Sequence, residues 1–295
     1  MPLSKEQGST VLLVIAALIW GVGFVAQRAA MDFMGPLTFT GLRFGLGGLA
    51  LIPLALKLEK GGLNGGTLKA GLAAGTVLFA GAALQQTGIA ITGSASKAGF
   101  ITGMYIVLVP VLGMMLGRKA SPFVWLGAVL ATAGLYLIGV PYGWGAVDFG
   151  SALLLAGAFC WALHILVVDR FAAKIKPLSF SVAQCLVCSA LSVTAALIFE
   201  DIQVSRIAAG YLPLVYSAFI SVCIAYTLQI IGQKHVPPAR SAIIFSMESL
   251  VAAISEVLLF GISMSGRGYA GGGFIFIGVL ISQARRKRLN GDSNE

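Results

Sequence analysis

Ten stretches of about twenty predominantly apolar residues follow one another along this chain, at roughly 10–30, 36–56, 68–88, 95–117, 121–140, 149–168, 178–199, 211–232, 239–262 and 268–284. Short segments carrying charges, prolines or clustered glycines part them. About twenty such residues are what an α-helix needs to cross the hydrocarbon of a bilayer. Only 11% of the residues are charged and 58% are hydrophobic, against roughly 25% charged in a soluble domain. The chain is therefore predicted to be an all-α integral membrane protein of ten transmembrane helices. Its 38 glycines would weaken helices in water, but in lipid small residues let helices approach closely. Gly45, Gly47 and Gly48, Gly71 and Gly75, and Gly271 to Gly273 fit that use.

The same pattern excludes several functions. The formal charge of +9 is spread singly between apolar runs, so no basic face for nucleic acid exists. The one dense cluster, Arg285 to Arg288, follows the last run and suits an anionic membrane face. Cys160, Cys185, Cys188 and Cys223 all lie inside apolar runs, where a thiol is a small inert group. The segment Gly61 to Gly66 lacks the Gly-Lys-Ser/Thr of a phosphate cradle, and there is no His-Glu-x-x-His pattern or Cys/His cluster. No cofactor and no metal are expected, and transport would be downhill or coupled to an ion gradient. The first run continues through Trp20 to Ala30 without a cleavage site, which reads as a retained helix.

Orientation follows from Lys and Arg. With ten spans, fifteen basic residues fall on the side of the termini and four (Arg28, Lys97, Arg206, Arg267) on the other, with Arg43 inside the second span. This predicts a plasma (inner) membrane protein with both termini in the cytoplasm.

The two halves repeat. Trp20 matches Trp161, Phe39 matches Phe180 and Arg43 matches Gln184 at an offset of 141. Leu84-Gln85 matches Leu228-Gln229 at 144, in step with Gly88 and Gly232, Gly117 and Gly261, Gly127 and Gly271, and Gly134 and Gly278. Units of 8–140 and 147–285 with a polar tail of 286–295 follow. Five spans per unit is an odd number, so the second unit must be threaded in the opposite sense, an architecture used by transporters.

The segments Ala17-Leu18-Ile19-Trp20-Gly21, Gly41-Leu42-Arg43-Phe44-Gly45, Ala98 to Tyr105 and Met247-Glu248-Ser249 resemble those of EamA-type members of the drug/metabolite transporter superfamily. The resemblance covers residues 10 to 284. It implies ten helices around a central cavity and transport, often export, of amino acids or other small metabolites. The chain departs from the family pattern at Gly117-Arg118, Gly261-Ile262 and Glu248-Ser249, and it lacks the first-helix Glu of small multidrug exporters.

Charge at membrane depth demands a partner or a function, and four ionisable residues stand well inside the runs: Arg43, His164, Glu248 and Glu256. Arg43 and Glu256 come out at similar depth, which predicts an ion pair serving as a structural tie or a gate. His164 and Glu248 fall slightly past the midplane. Glu248 can bind an amine and be neutralised by a proton; His164 can relay a proton or simply bond a neighbouring helix. Trp20 and Trp161, at mid-depth, either wall a cavity or pack between helices. Gln85, Thr102, Tyr105, Tyr226, Gln229 and Ser246 offer neutral hydrogen bonds to a substrate.

The expected function is secondary transport of amino-acid-like or other amine-bearing metabolites by alternating access, with protons as a coupling ion. The expected partners are a small-molecule substrate and the bilayer, for a monomer or homodimer. Uptake of a vitamin-like nutrient is the alternative within transport. An integral-membrane enzyme acting on lipid would need several acidic or His groups converging near one interface, and the four buried ones are spread over depths.

Overall fold

The computed structural model describes residues 4–139, 148–260 and 265–284, all in helices and short turns. The basic cluster at 285–288, the tail at 286–295 and the Gly261-Ile262 pair lie outside them.

The first half contains α1 (Lys5–Ala30), α2 (Pro36–Leu58), α3 (Gly65–Thr92), α4 (Ala95–Thr102), α5 (Tyr105–Met115) and α6 (Pro122–Gly139). The second contains α7 (Phe149–Ala172), α8 (Pro177–Phe199), the short α9 (Val204–Ala209) and α10 (Tyr211–Val215), and a π-helical segment (Tyr216–Tyr226). It continues as α11 (Thr227–Gln233), α12 (Pro238–Phe245), α13 (Met247–Phe260) and α14 (Gly266–Ser282). Among the described residues, eight segments are long and apolar enough to cross a membrane, counting α4–α5, α10–α11 and α12–α13 as one each. The fifth and tenth runs form shorter helices, α6 and α14, of 18 and 17 residues.

The fourth and ninth runs, predicted as continuous helices, are each broken. Gly103 and Met104 turn the chain between α4 and α5, and Ser246 does so between α12 and α13. Pro110 in α5 supplies no N–H, which removes one ladder bond from the first of these helices. The Ser246 hydroxyl bonds the Ile243 carbonyl at 2.6 Å, satisfying a group at the second break.

Helices pack through glycine. A Cβ on Gly134 would lie 2.5 Å from the Gly271 carbonyl oxygen, and one on Gly271 would lie 2.6 Å from that of Gly134. Gly127 and Gly278 oppose each other in the same way, at 2.7 Å each. The pairing of early with late positions makes α6 and α14 antiparallel, backbone against backbone. α2 and α8 are likewise antiparallel: Gly41 meets Val193, Gly45 meets Ser189, and Gly48 meets Cys185 and Leu186.

The ends of α2 and α8 are held by an arrangement that sequence reading missed. Both helices begin with proline, Pro36 and Pro177, and neither N-cap, Gly35 or Lys176, bonds the first turn through its side chain. The orphan N–H groups of a helix start are satisfied from across the interface. Glu200, at the end of α8, accepts from the Leu37 and Thr38 amides (2.7 and 2.8 Å) and the Thr38 hydroxyl (2.7 Å). Glu59, at the end of α2, accepts from the Leu178 and Ser179 amides (3.0 and 2.8 Å) and the Ser179 hydroxyl (2.8 Å). The segments Pro36-Leu37-Thr38-Phe39 and Pro177-Leu178-Ser179-Phe180, each followed by its Glu, stand 141 residues apart.

The distribution of side chains is inverted relative to a soluble protein. Leu56, Leu72, Leu197 and Leu258 point outward, while Gln27, Arg43, Gln85, His164, Gln184, Gln229 and Glu248 are buried. Lipid solvates the first group; of the second, all but His164 and Gln184 line a central cavity. All four cysteines are free.

Candidate functional site

The cavity is narrow, leaving about 40 Å³ for the centres of water molecules, and both halves of the chain wall it equally, with seven residues between 20 and 105 and seven between 161 and 248. Each irregular stretch of helix abuts it. Thr102 and Tyr105 flank the first break, Phe245 and Glu248 flank the second, and Ser221 and Tyr226 come from the π segment. Non-helical backbone at membrane depth is tolerated where it lines a cavity, and π segments gather at functional sites.

The breaks bring the polar chemistry together. The Tyr105 hydroxyl donates to Glu248 Oε1 at 2.7 Å, joining the starts of α5 and α13 over 143 residues of sequence. Glu248 is 5% exposed and has no cationic partner among the described residues. Elsewhere in the lining Gln85 Nε2 donates to Gln27 Oε1 (3.1 Å), and the Thr102 hydroxyl lies 3.4 Å from Gln85 Oε1. Gln229 Nε2 donates to Gln233 (2.9 Å), leaving Gln229 Oε1 without a partner.

Aromatic rings form the remaining wall, with Tyr226 at their centre. Its ring stands edge-on to Trp20 (5.0 Å between centroids) and to Phe44 (5.5 Å), and is tilted against Trp161 (6.5 Å). Trp20 Nε1 donates to the Ser221 carbonyl, while Trp161 Nε1 is buried without an acceptor. Trp20 and Trp161 thus face the cavity, one tethered and one free.

Of the residues singled out by sequence, Trp20, Trp161, Gln85, Thr102, Tyr105, Tyr226, Gln229 and Glu248 line the cavity. His164 does not. Its Nε2 pairs with Gln184 Oε1 at 3.1 Å behind the Tyr226 ring, and it has no contact with Glu248. Ser246 serves the helix break. The expected Arg43–Glu256 pair does not form. Glu256 accepts from the Ala95 amide (2.8 Å) and the Ser96 hydroxyl, closing the start of α4. The free amides of a helix start attract a carboxylate, and α13 packs on α1 and α4 while α2 packs on α8 and the π segment. Arg43 instead lines the cavity, its guanidinium over the rings of Phe39 (5.2 Å) and Phe44 (4.9 Å).

Phe24, Gln27, Ile165, Ser221 and Phe245 also line the cavity and were not anticipated. For Phe24 and Gln27 a signal existed: they follow Trp20 by four and seven residues, one helix face.

Two ion pairs close corresponding corners of the molecule. Lys97 of α4 reaches Asp148, the N-cap of α7, at 2.7 Å; Arg240 of α12 reaches Glu6 in the first turn of α1 at 2.6 Å. A third pair joins Arg118 to Asp169.

Comparison with known proteins agrees with this architecture. An uncharacterized transporter of Archaeoglobus fulgidus is 27% identical over 92% of this chain and 85% of its own length. The uncharacterized transporter YwfM of Bacillus subtilis is 26% identical over 96% of this chain and 97% of its own. The threonine/homoserine exporter RhtA of Salmonella typhimurium is 31% identical over half of each chain. A protein of known crystal structure shares the fold with a TM-score of 0.79, at 19% identity, over 94% of this chain and 96% of that one. The family model for EamA-like transporters matches twice, at residues 8–140 and 148–283. With eight candidate membrane-crossing segments and this double match, the chain is a multi-pass membrane protein belonging to the EamA-like transporter family of the drug/metabolite transporter superfamily.

Proposed function

We propose that this protein is a secondary transporter that exports small amine-bearing, amino-acid-like metabolites across the plasma membrane by alternating access. The observation that carries the reading is the buried Glu248 carboxylate, bonded among the described residues by Tyr105 alone, in a cavity that both halves wall equally. A carboxylate there attracts an ammonium group, and the aromatic wall suits a cation. The threonine/homoserine exporter that matches over half of each chain supports the amino-acid class and the outward direction.

Alternating access rests on ten crossings arranged as two oppositely threaded halves, 8–140 and 147–285, with both termini in the cytoplasm. Helices of 17 and 18 residues reach the lower limit for crossing, about 17 residues. The reciprocal Gly127–Gly278 and Gly134–Gly271 contacts support the inversion, because each glycine of α6 meets the counterpart, 144 positions on, of the other, with the two equivalent helices antiparallel. So do the reciprocal caps of Glu59 and Glu200. The Lys97–Asp148 and Arg240–Glu6 pairs, at related corners, suit latches that open in turn at the two membrane faces. Protons are the coupling ion of this reading, with Glu248 as the group they neutralise.

The test is flux in proteoliposomes containing a panel of radiolabelled amino acids, with and without an imposed pH gradient. Glu248→Gln is expected to reduce transport at least tenfold at unchanged protein level. Flux equal to wild type would remove Glu248 from the site.

A further inference from the structure

We infer that Arg43 is the carboxylate anchor of the cavity, so that Arg43 and Glu248 together select a zwitterionic α-amino acid. This rests on the transporter reading above and narrows its substrate from any small amine to one carrying both charges.

Arg43 is only 3% exposed, yet its Nε has no hydrogen-bond partner. None of the ion pairs among the described residues involves it. An uncompensated cation at membrane depth is expensive and marks function. The Phe39 and Phe44 rings orient the guanidinium without supplying a counter-charge.

The sequence repeat shows why the vacancy is there. Gln184 stands in α8 where Arg43 stands in α2, and it is held by His164. At the same offset of 141, the position matching His164 is Gly23, which has no side chain to offer. One copy of the duplicated unit therefore gives its polar residue a side-chain partner, although Gln184 Nε2 and His164 Nδ1 stay unbonded, and the other leaves a forked cation lining the cavity.

Glu248 supplies the complement. It lines the same cavity, and no bond occupies its Oε2. No ion pair joins the two charges, which leaves both open to a ligand that carries their opposites. A guanidinium binds a planar carboxylate bidentately, Glu248 takes the ammonium, and the Gln85–Thr102 wall and the Trp161 N–H remain for a side chain. An amine without a carboxylate would leave Arg43 unpaired.

The experiment measures binding to the full chain in detergent micelles by tryptophan fluorescence, since Trp20 and Trp161 border the cavity. The probes are L-alanine, L-threonine and L-leucine, their amino alcohols, and their N-acetyl forms. Wild type is expected to bind at least one amino acid about thirtyfold or more tighter than its amino alcohol, the scale of stranding one partner of a buried charge pair. In Arg43→Gln that ratio is expected to fall to about threefold or less. Arg43→Lys, which keeps the charge but not the fork, should retain part of it. Equal binding of amino acid and amino alcohol by wild type overturns the assignment of Arg43 and leaves the amine-transporter reading standing. Binding that favours the N-acetyl forms overturns that reading, because Glu248 then recognises no ammonium. Where Arg43→Gln does not accumulate, the wild-type ratio and Arg43→Lys decide.

Discussion

Replacing Glu200 by Ala removes three hydrogen bonds at once. The carboxylate accepts from the Leu37 and Thr38 amides and from the Thr38 hydroxyl, all between 2.7 and 2.8 Å. Loss of an N-cap costs about 0.5–2 kcal/mol, and each bond to a charged group contributes about 1.5–3 kcal/mol. Glu200 is half-buried, so water re-solvates part of what is stranded, and about 2–3 kcal/mol remains. For a chain of this size about 2–4 °C of Tm accompanies each kcal/mol. The apparent Tm of the detergent-solubilised protein should therefore fall by about 5–10 °C. Glu59→Ala removes the equivalent set from α8 and should cost the same. The two caps lie at opposite ends of a 23-residue helix pair, about 33 Å apart, so the double variant should show the sum. Gly35→Ala should mimic Glu200→Ala, because its Cβ would fall 2.3 Å from Glu200 Oε2. An E200A protein melting within about 1 °C of wild type, or a large effect of one cap without the other, would refute the account.

Two further outcomes follow from the packing and the corners. Gly134→Val should lower Tm and yield, since its Cβ would lie 2.5 Å from the Gly271 carbonyl oxygen and overpacking costs about 1–3 kcal/mol, whereas Gly273→Ala, with open space around it, should be tolerated. Asp148, at the head of α7, is held down at about 2 by its bond to Lys97 and then by the Ser151 amide. Its folded value lies below the ordinary one, so its contribution is complete above pH about 4 and disappears as pH falls toward 2. The Tm difference between wild type and Asp148→Asn should accordingly stay constant above that range and shrink below it, and a difference that grows on acidification would contradict the pairing.

The helical content and the buried polar set were legible because lipid imposes a length on apolar runs and a cost on every charge inside them. Trp20, Trp161, Gln85 and Glu248 were found that way. Depth along a helix is one coordinate, however, and the face is another. Arg43 and Glu256 matched in depth and still point to different neighbours, Glu256 to the amides that open α4 and Arg43 to the cavity. The breaks at Gly103 and Ser246 were hidden because glycine and serine are ordinary residues of membrane helices. The π segment carries no mark in its apolar sequence. The caps of Glu59 and Glu200 were visible as a repeated pattern, but only the antiparallel meeting of α2 with α8 turns two distant glutamates into helix starts.

The bond from Tyr105 to Glu248 does more than fill a lone pair. It ties together the two half-helices that begin just past the breaks, and under the proposed function cargo at Oε2 shares one carboxylate with the tyrosine. In that proposal a solute that draws the carboxylate toward itself loosens α5 from α13 beside the turns at Gly103 and Ser246. Occupancy and motion are joined in that proposal through a single side-chain bond.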